Sequence, residues 1–453
     1  MMSDMVPGAA PVNRNLKILL AVVASLAVAA LVAVGVIAAQ HHSDRDEAKG
    51  VSGSGTIDGK ATSISTKDLS QLAQDRTRAL VTGDEDAFVA VFADDVKDQQ
   101  RRVFRNLRRV PLDWDTAGFR VVTSSGRQSS VLGGSLETQV DVSFDHRISG
   151  VDVAPVSEGY RWTVRRTSAS AKPVVTKVAG TPYAKSFSTD ADATVAYPAP
   201  WDLYDDLAVE KAGSVVLMAE ASHARELHQA QSPLRAAGDK VLALWKTDGP
   251  GGRTASPGFA FVYEPDAKKF ADMYGRGGQD RGEDGITVPM ISTVRAEPSV
   301  AGARVVSRVT TPRVGQHEMV HALLEPLTGR SAVGSLDGPQ PWLVEGVAEY
   351  VASTGADDRG AHAALQRVGF TGRLPEQITF YSKDATQQSA HYELGRLAVE
   401  HMADRYGKKK MLAFAAVQYS QPSGLDEQLR EATGLDKAAF EAQWAEYVRG
   451  TLR

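Results

Sequence analysis

An uninterrupted run of uncharged residues near the N-terminus constrains this chain more than any other feature. Residues 18–39 carry no charge, and Ser25 is the one polar residue among Ala, Val, Leu, Ile and Gly. At a rise of about 1.5 Å per residue, a helix of this length can cross a hydrocarbon core of about 30 Å. The run therefore predicts a membrane anchor. Residues 1–40 would form a short N-terminal tip and the anchor itself, and the long remainder would fold on the other side of the membrane.

The flanks of the run favour an uncleaved anchor over a cleaved signal peptide, which is the alternative. A cleaved signal has a shorter apolar region of roughly 7–15 residues, followed by a small-x-small site. Here the run is longer and reaches Gln40 without an A-x-A sequence at that edge. Arg14 and Lys17 precede the run, and the acid-rich residues 44–47 follow it. The excess of positive charge before the run predicts a cytoplasmic N-terminus and an extracytoplasmic remainder.

The composition of the chain is that of a globular protein. Its 453 residues are 43% hydrophobic and 23% charged, which is ordinary for folded domains, and roughly 150 residues per domain gives two or three domains. The absence of cysteine excludes disulfides, thiolate metal sites and a cysteine nucleophile. A formal net charge of -4 argues against nucleic acid as a general partner.

Two segments with different patterns follow the anchor. Residues 41–66 are polar and rich in Gly and Ser, which predicts a flexible linker. Residues 67–110 repeat apolar side chains at helical spacing and predict three helices, the first ending at Gly83 and the second capped by Asp84. The third helix carries an arginine cluster that we interpret as a solvated face; contact with anionic lipid head groups is the alternative. The cluster consists of Arg101, Arg102, Arg105, Arg108 and Arg109.

Predicted strands complete a first domain. Residues 136–144 alternate apolar and polar side chains, which indicates an antiparallel strand with one buried face, and residues 160–167 and 173–178 predict further strands. Helices followed by such a sheet make an α+β unit. The order of elements, with the sequence of residues 79–88, resembles the cone-shaped nuclear-transport-factor-2-like fold. The resemblance covers residues 67–183 and implies a domain of this fold there. Because no set of acids and bases converges in it, we expect the domain to have a structural role or to bind a protein partner.

A second and larger domain is predicted over residues 196–453. Its first half combines short apolar strands with a helix over residues 223–246, and the chain is helical after residue 309. This pattern predicts a mixed sheet followed by a helical half, so the fold class of the whole chain is α+β. The predicted strands are residues 215–218, 259–263, 286–290 and 304–309.

The sequence His-Glu-Met-Val-His at residues 317–321 carries the strongest chemical signal. In a helix, His317 and His321 lie one turn apart and project from one face. Two imidazoles so placed can each give a nitrogen to one zinc ion at about 2.0–2.1 Å. Glu318 lies one step round the helix, where it can take a proton from a zinc-activated water and pass it to the leaving amine. Taken alone, the motif also fits a helix with two hydrogen-bonded histidines and no metal.

A second predicted helix, residues 341–350, offers the third protein ligand that catalytic zinc requires. Glu345 follows His321 at a distance that allows a loop and an antiparallel return, and Gly346 would let the two helices approach closely. Glu349, one turn later, can accept the spare ring N–H of a ligand histidine. The alternative, a solvated pair of glutamates on an exposed helix, disagrees with the apolar residues around them.

These two segments resemble the gluzincin zinc peptidases and, more narrowly, the peptidase MA-like family. The second-helix pattern of that family, Trp-x-x-Glu-Gly-x-Ala-x-Tyr, matches residues 342–350. The resemblance covers residues 196–453 and leaves out residues 1–180. It implies a zinc site with His317, His321 and Glu345 as ligands and Glu318 as the base.

The resemblance also implies a group that stabilises the oxyanion, downstream of the third ligand. Tyr392 is preferred, because a tyrosine before the helix that ends near Gly407 resembles the family pattern. His391 and Tyr381 stay open as alternatives.

Together these features predict a membrane-anchored, extracytoplasmic zinc metallopeptidase that acts on a peptide or protein substrate. The alternative is a catalytically idle peptidase fold that works as an interaction protein of the cell envelope, with the α+β domain as its partner surface. Two observations keep that alternative open: the α+β domain carries no recognisable chemistry, and the sequence has no signature for a substrate-binding strand.

Overall fold

The computed structural model describes residues 53–57, 60–122, 130–132, 134–180, 199–252, 254–273, 283–294, 299–328, 338–353 and 359–452. Within these ranges no helix is long and apolar enough to cross a membrane. The anchor predicted at residues 18–39 lies outside the described residues. The described part is an α+β protein with an antiparallel and a mixed sheet, as predicted.

A β-hairpin opens the described chain. Strands β1 (Gly53–Ile57) and β2 (Lys60–Ile64) pair antiparallel. Ile57 and Ile64 are both buried in the core of the first domain. The prediction of a flexible linker over residues 41–66 is therefore wrong for these strands, because burial of the two isoleucines stabilises a hairpin that the polar composition conceals.

Three helices follow the hairpin, and their predicted boundaries are confirmed. They are α1 (Thr66–Thr82), α2 (Glu85–Val89) and α3 (Asp94–Arg109). Ser65 and Asp68 form a capping box at the start of α1, and Gly83 ends that helix with a left-handed φ of 78°. The side chain of Asp84 caps α2 by accepting a hydrogen bond from the backbone N–H of Ala87.

The arginine cluster of α3 is partly exposed but engaged. Arg105 donates two hydrogen bonds to Glu85, at 2.9 and 2.8 Å. Arg102 and Arg109 pair with the acidic residues 205–206 of the second domain. The interpretation as a simple solvated face is incomplete, because these ion pairs connect α3 with α2 and with the start of the second domain.

The first sheet is antiparallel and packs one face on the three helices. Its strands run in the order β3-β5-β6-β7, with β4 paired to β5. The predicted alternation in β5 is confirmed: Leu136, Thr138, Val140, Val142 and Phe144 are all buried. The strands are β3 (Gly118–Val122), β4 (Ser130–Leu132), β5 (Ser135–His146), β6 (Val156–Arg166) and β7 (Val174–Gly180).

The second sheet is mixed, as predicted. Its order is β11-β12-β10-β9-β8, in which the three inner strands are parallel and the two edge strands antiparallel to their neighbours. The strands are β8 (Leu207–Ala212), β9 (Val215–Glu220), β10 (Phe259–Tyr263), β11 (Gly285–Ser292) and β12 (Ser299–Ser307). Helix α4 (Pro200–Leu203) precedes these strands, and α5 (Ala224–Asp248), α6 (Ala267–Met273) and α7 (Pro312–Leu324) lie between and after them.

The mixed sheet is buried on both faces. Alternate residues such as Leu217 and Val305 pack against α5 and α7. The residues between them, such as Met218 and Val306, join the hydrophobic core of the first domain. The two predicted domains therefore share one core across this sheet.

Helices make up most of the described residues after β12, as predicted. They are α8 (Pro341–Ala352), α9 (Arg359–Val368), α10 (Ala385–Tyr406), α11 (Lys408–Ser420), α12 (Leu425–Thr433) and α13 (Lys437–Thr451). A Cβ at Gly346 would lie 2.4 Å from the carbonyl oxygen of Gly395, so this glycine brings α8 against α10. The prediction that Gly346 brings α8 close to the helix of His317 is wrong, because its bare face is turned toward α10.

Candidate metal centre

Helix α7 holds the two predicted histidines in the interior. Thr311 precedes it and Pro312 takes its first position, although the Thr311 side chain makes no capping hydrogen bond. His317 and His321 are each 2% exposed, and their Nε2 atoms lie 3.0 Å apart. The spacing of one helical turn thus brings both rings to the same point.

Glu345 of α8 meets the two imidazoles. Its Oε2 lies 3.3 Å from Nε2 of His317 and 3.3 Å from Nε2 of His321. The three ligand atoms lie within 4.8 Å of one another, and the group could hold a metal ion. Among the residues that the structure describes, no other cluster of His, Asp and Glu side chains meets this condition.

The buried imidazoles and carboxylates of this group shift one another's pKa values. Burial by itself raises the pKa of Glu345, but the charge of His321 and hydrogen bonds from both imidazoles hold it at about 2. Burial lowers the pKa of His317, yet the carboxylates of Glu345 and Glu349 raise it to about 10. The carboxylates therefore favour positive charge at His317: without a metal ion the imidazole holds a proton, and a metal ion would bind Nε2 in place of that proton.

Glu349 lies behind His317, as the helical spacing of α8 predicts. Its Oε1 is 3.0 Å from Nδ1 of His317. Its Oε2 accepts hydrogen bonds from Arg313 at 2.9 Å and from Ser353 at 3.2 Å. Because Nδ1 faces Glu349, Nε2 is the nitrogen with which a neutral His317 can bind a ligand.

Glu318 is fully buried, at 0% exposure, on the same helix. Its Oε2 accepts a hydrogen bond of 2.8 Å from the hydroxyl of Thr287 in β11. Its Oε1 has no hydrogen-bond partner among the described residues. Burial raises the pKa of Glu318, and the charges of His321 and His317 oppose this rise. A carboxylate beside two imidazoles, with one oxygen that has no hydrogen bond among the described residues, can accept a proton.

The three candidates for the oxyanion group lie in different environments. The hydroxyl of Tyr381 donates to Oε1 of Glu345 at 2.9 Å, and Nδ1 of His391 lies 2.8 Å from the carbonyl oxygen of Phe380. The Tyr392 hydroxyl is buried without a hydrogen-bond partner among the described residues, and its ring centroid is 6.5 Å from that of His317. Of the three, Tyr392 offers a hydroxyl without a partner in the described part of the chain. It lies inside α10, so the prediction that it precedes this helix is wrong.

Sequence reasoning missed three residues around the site. Arg313 carries a detectable signal, because it precedes His317 by one helical turn. Gly285 and Thr287 carry none, since they lie on a strand far from Glu318 in the sequence and reach it only through the packing of α7 on the sheet.

The chemical capacity of the site follows from its own side chains. Two imidazoles and a carboxylate converge, and beside them lie a second carboxylate and a phenol that each have an oxygen without a hydrogen bond among the described residues.

The resemblance of residues 342–350 to a peptidase pattern stays a prediction. No family model matches the chain, and no curated protein matches it.

Proposed function

We propose that this protein is a zinc metallopeptidase whose ligands are His317, His321 and Glu345. The observation that carries the proposal is the convergence of their ligand atoms, with separations of 3.0, 3.3 and 3.3 Å. Ligands about 2.0–2.2 Å from one tetrahedral zinc lie roughly 3.3–3.6 Å from each other, and two histidines with one glutamate leave a fourth position for water or substrate. The residues present therefore fit the ion.

Each side chain has a role that its contacts support. Bound zinc would polarise the scissile carbonyl and lower the pKa of a water molecule. Glu318 takes the proton from the attacking water and delivers it to the leaving amine. Tyr392 donates its unpartnered hydroxyl to the developing oxyanion. Glu349 keeps His317 in the tautomer that presents Nε2.

Strand β11 supports a peptide as the substrate. It is the last strand of the mixed sheet, and within the described ranges only β12 pairs with it. An extended peptide can add to such an edge through main-chain hydrogen bonds. A substrate bound there would run beside Glu318, because Thr287 of the same strand contacts that residue.

The proposal includes the fold families and the location. A mixed sheet followed by the helix pair α7 and α8 agrees with a gluzincin-type domain, and three helices against an antiparallel sheet agree with a nuclear-transport-factor-2-like domain. The apolar run of residues 18–39, with its positive charge on the N-terminal side, supports a single-pass anchor and an extracytoplasmic site.

The test is zinc content and peptide hydrolysis of the purified full-length chain. We expect about one zinc ion per chain in the wild type and in Glu318→Gln, since Glu318 is not a ligand, and hydrolysis only in the wild type. Substoichiometric zinc after loading at neutral pH would overturn the proposal. Full zinc without hydrolysis, together with rescue of a deletion phenotype by Glu318→Gln, would instead favour the idle interaction protein.

A further inference from the structure

Glu318 is a buried carboxylate whose two oxygens have unlike surroundings. Oε2 accepts the 2.8 Å hydrogen bond from Thr287, while Oε1 has no partner in the described part of the chain. An ionised carboxylate in the interior must be hydrogen-bonded to be stable, and Thr287 provides a bond to one oxygen only. We call Oε2, which is hydrogen-bonded, the held oxygen, and Oε1, which has no hydrogen bond in the described part of the chain, the open oxygen.

Thr287 is itself firmly placed. It lies in β11 opposite Val305 of β12 and is 1% exposed. Its Oγ1 lies 2.8 Å from Oε2 of Glu318 and 2.9 Å from the main-chain carbonyl oxygen of the same residue. A hydroxyl has one hydrogen to donate, and the carboxylate is the stronger acceptor. The β-branched side chain, restricted at χ1, therefore fixes the position of Oε2.

Gly285, two residues earlier on the same strand, borders the open oxygen. A Cβ at this position would lie 3.0 Å from Cγ of Glu318 and 3.1 Å from Oε1, and 3.0 Å from Cγ1 of Val314. All three separations are tighter than ordinary carbon contacts. A side chain at position 285 would push Glu318 or Val314 aside by a few tenths of an ångström, so glycine leaves the space beside Oε1, while Thr287 supplies the hydrogen bond to Oε2.

We propose that β11 is the element that positions Glu318, with Thr287 as the positioning residue and Gly285 as the clearance for Oε1. The open Oε1 is then the oxygen that takes the proton during hydrolysis. This inference rests on the proposed function for the role of Glu318, but the contact between β11 and Glu318 can be tested without peptide hydrolysis.

The kinetic test uses the zinc-loaded full-length protein and quenched fluorescent casein as a general protease probe. Thr287→Val keeps the shape but removes the hydroxyl, and we expect kcat to fall roughly 10–100-fold with KM and zinc affinity unchanged. Thr287→Ser restores the hydroxyl and should recover most of kcat. Thr138→Val, at another strand threonine of 1% exposure in the first domain, is the matched control and should keep the wild-type kcat. Gly285→Ala should lower kcat without lowering zinc content.

A second readout needs no substrate. In the cobalt(II)-loaded protein, the visible spectrum reports the groups around the metal. We expect the spectrum of Thr287→Val to move toward that of Glu318→Gln, and the spectrum of Thr287→Ser to match the wild type.

The outcomes separate the two proposals. Wild-type kcat and an unchanged cobalt spectrum in Thr287→Val would overturn the positioning role alone. A wild type that takes up metal but cleaves nothing would overturn the peptidase, while the spectra would still decide the contact. A wild type that binds neither zinc nor cobalt would overturn both.

Discussion

At the scale of single residues, the site pairs each acidic side chain with a group that holds one of its oxygens. Tyr381 holds Oε1 of Glu345, which leaves Oε2 toward the imidazoles. Arg313 holds Oε2 of Glu349, which leaves Oε1 toward His317. Such outer contacts fix the geometry of the ligands, and their loss weakens metal binding.

Substitutions of the two tyrosines near the site, Tyr381 and Tyr392, should therefore affect different properties of the protein. We expect Tyr381→Phe to lower zinc affinity roughly 10–100-fold, because Glu345 loses the hydrogen bond that orients it. Tyr392→Phe should keep the wild-type affinity and lower kcat by roughly 100-fold, the cost of one oxyanion donor. Competition with a zinc-binding dye measures the affinities. Equal affinity for wild type and Tyr381→Phe would contradict the assignment.

His146, in β5 of the first domain, should contribute to the response of stability to acid. His146 is fully buried, and burial together with the charge of Arg304 lowers its pKa from 6.5 to about 3. Below pH 6.5 the unfolded chain therefore binds a proton at this residue that the folded chain does not, so stability falls as the pH falls. Between pH 7 and pH 5 this contribution is about 2 kcal/mol.

The variant His146→Phe isolates that contribution. We expect it to lose about 2 kcal/mol less than the wild type over the same pH interval, as measured by urea unfolding at pH 7 and pH 5. Parallel pH dependence in the two proteins would show that His146 does not resist protonation in the folded state.

At the scale of elements, α8 and α10 make a close helix contact. Gly346 faces the carbonyl oxygen of Gly395, and a Cβ at Gly395 would lie 2.5 Å from the carbonyl oxygen of Trp342. The two backbones therefore touch without intervening side chains. This contact sets the distance between Glu345 on one helix and Tyr392 on the other.

Gly346→Ala should force these helices apart. We expect a loss of about 1–3 kcal/mol in unfolding free energy, typical of an overpacked interior, and weaker zinc binding because Glu345 moves. Gly450→Ala is the control: this glycine of α13 has open space around it, so alanine should be neutral or stabilise slightly. Thermal unfolding of the two variants measures the difference, and equal stability would contradict the close contact.

At the scale of the whole molecule, the first domain covers one face of the mixed sheet. Met218, Val262 and Val306 belong to its hydrophobic core although they lie in the second domain by sequence. A buried ion pair between Asp152 and Arg304, 2.9 Å from Oδ2 to Nη2, crosses the same junction. The face of β11 that carries Ile286 and Val288 packs in this core, so the first domain also supports the strand that contacts Glu318.

Residues 196–453 should therefore not form a stable protein by themselves. Removal of the first domain would expose a contiguous apolar sheet face, which favours aggregation. We expect the fragment to be insoluble or to bind a hydrophobic dye, and the full chain to unfold in one transition as seen by circular dichroism and by tryptophan fluorescence. A soluble monomeric fragment with native helix content would contradict the shared core.

Local physics made much of this protein predictable from its sequence. The spacing of one helical turn brings His317 and His321 to one face, the alternation in residues 136–144 follows the period of a strand, and Gly83 ends α1 because glycine accepts a left-handed φ. Each of these features depends on neighbours a few residues away. For that reason the pattern alone determined them.

The tertiary structure decided the rest. That Thr287 binds Glu318, that Tyr381 binds Glu345 and that Gly346 faces Gly395 are contacts between segments far apart in the chain. The hairpin β1–β2 was hidden for the same reason, since its two isoleucines are stable only against the rest of the core. Such contacts arise from the packing of whole helices and sheets, and no local period in the sequence encodes which side chains the packing brings together.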